Sequence, residues 1–355
     1  MTAIKENKLF VHLVGSIPLQ DNEAVFRTVS DVLGPHLRRL PDGETGERRF
    51  WIGYVRDLLA RHPDLVQDTS VPPFQLKLWN GTVYREMPLL RFREGVDPSR
   101  FDLRTRYADM ALDSYAVFQR LQSQGVIPKG IRFQVALPTP LAITYNYISP
   151  ASRKAFIASY TARLLDEVAT IVAHIAADHL SIQWDVLQEI MVWENYYGYR
   201  SPDYKDEITS VLTRISDAVP AAVDLGFHYC YGSPGDEHLV QPMDTGVMVE
   251  LTNLVVPTLR RPLNFLHLPV PKDRVDDAYY RPLKDLHLAR GTEIYLGLVH
   301  LDDSQGNRAR LSKARQYVDL AGVATECGWG RGGAERVPRL LEAHRELVAE
   351  TVPTV

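Results

Sequence analysis

Phe227-His228-Tyr229-Cys230-Tyr231-Gly232 closes an apolar, β-prone run that begins near residue 224. Read as the end of a strand, it turns His228 and Cys230 to the same side, because residues i and i+2 of an extended chain share a face. The chain has only two cysteines. The other, Cys327, lies in Thr325-Glu326-Cys327-Gly328-Trp329-Gly330, again after an apolar run and just before a glycine. Each cysteine therefore falls where a strand gives way to a loop. One imidazole nitrogen and two thiolates suit a borderline-soft tetrahedral cation, zinc first among them. Isolated cysteines are more often small buried hydrophobes, but the H-x-C spacing and the matched placement weigh against that here.

Working outward, strand-like and helix-like runs alternate. Strands are expected at 9–17, 132–137, 180–186, 224–230, 246–252, 264–269, 293–300 and 322–327. Helices are expected at 21–33, 51–62, 105–124, 150–177, 203–218, 306–320 and 334–350, the 150–177 helix opening at Ser149-Pro150. Residues 39–50 read as a charged, glycine-punctuated loop, and 63–103 as loop with a hairpin. Alternation of this kind argues a parallel sheet, and eight units argue a single (β/α)8 TIM barrel, α/β in class, with an N-terminal elaboration and long βα loops. The whole chain, 1–355, is expected to be one domain. A doubly wound open sheet is the competing arrangement, since 246–252 and 264–269 are joined by too short a connection for a full helix.

Composition narrows the partners. Forty Lys and Arg against 44 Asp and Glu leave a net charge of −4 with no basic stripe, which disfavours nucleic acid. No apolar run of about eighteen residues is present and the N-terminus is polar, so neither a membrane span nor a signal peptide is expected. Two cysteines cannot build a secreted disulfide framework. A cytoplasmic protein acting on small molecules is the expectation.

In a barrel the active site gathers at the C-terminal strand ends. Those ends carry Gly15 and Ser16, Leu137-Pro138-Thr139-Pro140, Gln183-Trp184-Asp185, His228 and Cys230, Glu250, His267, His300 with Asp302 and Asp303, and Cys327. Glu250, in the apolar run Val247–Thr252, needs a metal or an ion-pair partner. His267 reads as a hydrogen-bonded core histidine. Asp185 reads either as a substrate ligand or as a helix cap.

In their order these residues resemble the catalytic half of cobalamin-independent methionine synthase. Val14-Gly15-Ser16 is similar to that family's I-G-S, Asp42-Gly43-Glu44 with Glu47-Arg48 to its H-G-E-x-x-R segment, Leu137–Pro140 to L-T-G-P, and Gln183-Trp184-Asp185 to the start of Q-I-D-E-P. His228–Tyr231 resembles H-M-C-Y, and Glu326-Cys327-Gly328 resembles D-C-G. The resemblance implies a zinc site of His228, Cys230, Glu250 and Cys327. It also implies that Gly15 and Ser16 hold a thiol substrate's carboxylate, with Glu44 and Asp185 near its amine. The chain departs from the family where D-E-P becomes Asp185-Val186-Leu187. It departs again where the catalytic histidine's place is taken by Asp302, with His300 two positions earlier. No tryptophan stands in Thr144-Tyr145-Asn146-Tyr147, where the family stacks a folate; Tyr147 is taken as the substrate-binding aromatic there, and the loss argues against a folate donor. Residues 262–282 have no counterpart in the family pattern.

The chemistry implied is activation of a thiol as its zinc thiolate and attack on the carbon of a methyl or alkyl donor, with His300 as the acid and Asp302 and Asp185 beside it. The product need not be methionine. A zinc-dependent lyase or hydrolase needing no thiol is the second reading, and a barrel carrying zinc without catalysis is the third.

Overall fold

The computed structural model describes residues 8–349. Eight strands make one parallel sheet: β1 (Phe10–Val11), β2 (Arg39–Pro41), β3 (Arg132–Pro138), β4 (Leu180–Val186), β5 (Asp224–Tyr229), β6 (Phe265–Pro269), β7 (Glu293–Gly297) and β8 (Gly322–Val323). Their order is β1-β8-β7-β6-β5-β4-β3-β2. Each strand thus lies beside its sequence neighbour, and the two ends, β1 and β2, meet at one isolated parallel bridge, Val11 to Leu37. The structure is an α/β fold whose curled sheet is not laddered shut.

Just past β1 at the open seam, the Leu13 and Val14 carbonyls are met by side chains. Gln134 Nε2 on β3 donates to Leu13 O (2.8 Å) and Val14 O (3.0 Å), and Gln183 Nε2 on β4 donates to Val14 O (2.7 Å). The alternation that makes this possible is plain in β4. Leu180, Ile182, Trp184 and Val186 face the helices, while Ser181, Gln183 and Asp185 face the lumen. The lumen is consequently polar and layered. Arg39 from β2 lies at its N-terminal end, paired with Asp224 of β5 and with Glu293 of β7 (2.8 Å), its guanidinium 4.0 Å from the centre of the Phe265 ring on β6. Above it His12 bonds Gln183 Oε1 (2.8 Å) and packs on Phe265, His267 and Tyr295. Gly226 makes room for this aromatic layer; a Cβ there would run into the Phe265 ring.

Three expectations need correction. The run 246–252 is not a strand but the start of the helix Gly246–Val255. Its buried residues Met248, Leu251, Thr252 and Val255 recur at three and four, a helical period hidden by the β-branched composition. The missing strand is Arg39–Pro41, inside the stretch read as a charged loop; all three of its residues are buried. The count of eight survives with one member exchanged. The unplaced segment 262–282 supplies β6 and the turn after it. Between β2 and β3 the expected single hairpin is two antiparallel pairs, Leu65–Gln67 with Leu90–Phe92 and Phe74–Lys77 with Val83–Met87. No helix among the described residues is long and apolar enough to cross a membrane.

Removing Arg39 would leave buried Asp224 without its ion-pair partner and Glu293 with Arg38 alone. Arg39→Ala is expected to lower stability by about 3 to 5 kcal/mol, measured by urea unfolding. Arg39→Lys should recover only part of the loss, because one ammonium cannot fork to both acids.

Candidate metal centre

His228 is the next-to-last residue of β5 and Cys230 follows it two residues later; Cys327 comes from the loop after β8. The three form a group whose ligand atoms all lie within 4.8 Å of one another. Cys230 Sγ and Cys327 Sγ are 3.8 Å apart, and both cysteines are free thiols.

Hydrogen bonding decides which nitrogen His228 offers. His267 Nε2 lies 3.1 Å from the Thr325 carbonyl oxygen, which can only accept, so Nε2 carries the hydrogen. Burial, with the His228 and His12 rings nearby, holds His267 well below the ordinary histidine range, so its Nδ1 is bare. That Nδ1 accepts from His228 Nδ1–H at 2.7 Å. A neutral His228 then presents the Nε2 lone pair. Thr325 also donates from Oγ1 to Cys327 O (2.8 Å), so His267 and Thr325 tie the β5 ligand to the β8 ligand. The Cys230 thiol beside it, then the Arg331 guanidinium and His228, hold the Cys327 thiol well below its usual range, whereas the same pairing, followed by burial, pushes Cys230 up. Cys327 lies beside the Arg331 guanidinium, so the first thiolate of the pair forms there.

The group opens on a cavity of about 470 Å³. Gly15, Ser16, Glu44, Tyr147 and Asp185 all line it together with His228, Cys230 and Cys327. Asp185 accepts from Gln183 Nε2 (2.8 Å) and Trp51 Nε1 (3.1 Å), yet burial still raises its carboxyl to about 8. Burial, followed by the nearby Asp185, pushes Glu44 well above the carboxylate range. Asp42 shapes this wall. It receives the Glu44 backbone N–H (2.9 Å) and the Ser114 hydroxyl (2.8 Å) and pairs with Arg48.

Three of the residues picked from the sequence lie elsewhere. Glu250, on a helix rather than a strand end, faces solvent and bonds Lys205 and Trp193 Nε1 (3.0 Å). His300 points its Nε2 at Val270 O (2.9 Å), with Nδ1 4.0 Å from Glu326, and does not line the cavity. Asp302 is exposed, at φ +58°, and pairs with Arg339. Conversely, Trp51 and Arg331 belong to the site and were passed over. Trp51, at φ +55°, opens a stretch with helical period in the sequence; Arg331 carries no signal there beyond its place between two glycines.

Two outcomes are expected. His267→Leu should weaken metal binding about ten- to a hundredfold, read by chelator competition, and His267→Gln should recover part of it. The second concerns Glu189, fully buried on the helix after β4, whose carboxyl burial raises to about 7. Its folded pKa exceeds the unfolded value, so its contribution is complete below about pH 4.5 and is lost as pH rises to about 7, some 3 kcal/mol in all. Glu189→Gln should flatten the stability profile across that window in urea titrations.

No protein-family model matches the sequence, and no curated protein matches it. Solved structures do. A B12-independent methionine synthase from Shewanella sp. W3-18-1, in complex with selenomethionine, aligns at TM-score 0.61 and 15% identity, covering 97% of this chain and 98% of that one. A methyltransferase from Methanosarcina mazei aligns at TM-score 0.51 and 12% identity, covering 98% and 94%. At such identities the likeness is one of fold, and it runs the length of both chains.

Proposed function

We propose that this chain is a zinc-dependent transferase that activates a thiol for methyl or alkyl transfer. The observation that carries the reading is the His228, Cys230 and Cys327 group opening on a large cavity walled on another side by two buried carboxyls. Two thiolates bound at about 2.3 Å to one tetrahedral zinc would sit about 3.8 Å apart, the separation of these two sulfurs. With Glu250 on the outer surface, three protein donors remain, as in zinc sites that keep a position for substrate. Bound there, zinc would supply a Lewis acid that lets an incoming thiol ionise near neutral pH.

The chain's own residues would do the rest. Gly15 and Ser16 hold the thiol substrate's carboxylate, and Glu44 takes its ammonium, whose charge offsets the buried negative charge around that wall. Arg331 balances the negative charge gathered on the two cysteines. Asp185, protonated up to about pH 8, faces the cavity and hands the proton to the departing group, the part first given to His300. His300 and Asp302 take no part in this reading. The fold shared with a methionine synthase and a methyltransferase supports it.

Elemental analysis is the first test. About one zinc per wild-type chain is expected, lost in Cys230→Ser and Cys327→Ser, with turnover strictly dependent on an added thiol. Wild type that folds but refuses zinc would sink the proposal. Turnover without any thiol would replace it by the lyase or hydrolase reading.

A further inference from the structure

The stretch Gly46–Tyr54, which follows β2 and walls part of the cavity, is a run of short helical turns broken at Phe50 (φ −106°, ψ 40°) and Trp51 (φ 55°, ψ −118°). The second pair of angles suits glycine, and a bulky residue keeps it only where its surroundings enforce it. They do so on both sides of the break. Arg49 donates from Nη2 to Gly332 O (3.1 Å) and from Nε to Gly330 O (3.4 Å), and Ile52 is buried in the core. The break turns Phe50 out to 66% exposure. It sends the Trp51 indole inward, where Nε1 donates to Asp185 Oδ2 (3.1 Å).

The other Asp185 oxygen is fixed as well. Oδ1 accepts from Gln183 Nε2 (2.8 Å), and that amide spends its second hydrogen on Val14 O (2.7 Å) while its Oε1 accepts from His12 (2.8 Å). Both partners of the carboxyl are thus donors, since neither an indole N–H nor an amide nitrogen accepts. When Asp185 carries its proton, neither Trp51 nor Gln183 can take that O–H. Glu44 is the nearby group that would take it if Asp185 were free to turn: a second buried acid on the same cavity, itself held at φ +49°.

We propose that Trp51 is the positioning residue of Asp185: its N–H, held by the strained turn, anchors Oδ2 so that the acid's own proton faces the cavity and is not shared with Glu44. This rests on the reading of Asp185 as the proton donor. The test is carbon NMR of the full chain, isotopically enriched at its aspartate carboxyls, with neither metal nor substrate added. The Asp185 signal, assigned by its loss in Asp185→Asn, should titrate at about pH 8. Trp51→Phe keeps a ring but drops the N–H that favours the charged form, and should raise that midpoint by about one pH unit. Glu44→Gln should then move the midpoint further in the Trp51→Phe background than in the wild type, because only there are the two carboxyls bonded to each other. A companion reading leaves Trp51 in place: one of the five tryptophan indole N–H signals should shift with the same midpoint and hold still in Asp185→Asn. A midpoint that Trp51→Phe leaves unmoved, shifts that simply add, or no indole signal that follows Asp185 overturns the inference. None of these readings uses zinc or a thiol. A raised midpoint beside failed zinc and thiol tests would keep Trp51 on Asp185 and discard the transferase; an unmoved one beside successful tests would discard this inference alone.

Discussion

Arg39 holds a charge inside the floor of the barrel, and the arrangement of the sheet depends on how that charge is met. It comes from β2, at one end of the ladder, and reaches Asp224 on β5, Glu293 on β7 and the ring of Phe265 on β6. A flat sheet would put those strands several positions away; only a curled one brings them around a single guanidinium. With backbone bonding at the seam reduced to the Val11–Leu37 bridge, curvature is held by lumen side chains, Arg39 below and Gln134 and Gln183 above. A buried charge with two partners costs desolvation, and its worth here is geometric.

The same polar lumen leads upward to the His228, Cys230 and Cys327 group. His12, Gln183 and His267 occupy the layer beneath His228, and each bond in that layer has a forced direction because it ends on a carbonyl or on a buried neutral ring. The tautomer of His228 is therefore set by the fold before any cation arrives. Cys327, from the other side of β7 and β6, joins through Thr325. A soft-ligand site built on two strand ends is held together by one histidine between them.

Much of this was legible in the residues. The H-x-C pair, the glycine after each cysteine and the alternation of β4 and β5 announce strand ends that share a side, because period-two side-chain geometry is local. Gly15, Ser16, Glu44, Tyr147 and Asp185, singled out in the sequence, all line one cavity. Glu250 misled because valine and methionine around it suit a strand in composition while their spacing suits a helix. Arg39–Pro41 misled in the opposite sense: a buried arginine and a proline look like loop residues, and only cross-barrel partners make them a strand.

By itself, then, the sequence determined the class of the fold, the positions of most strands and the identity of the soft donors, since these follow from periodicity and from the chemistry of rare side chains. Tertiary structure alone decided the rest. Which carboxylates face the cavity, that His300 and Asp302 turn away from it, and that a strained turn brings the Trp51 indole to Asp185 are all matters of distance between segments. Burial then decides protonation, raising Asp185 and Glu44, because desolvation is a property of the folded surroundings and not of the residue.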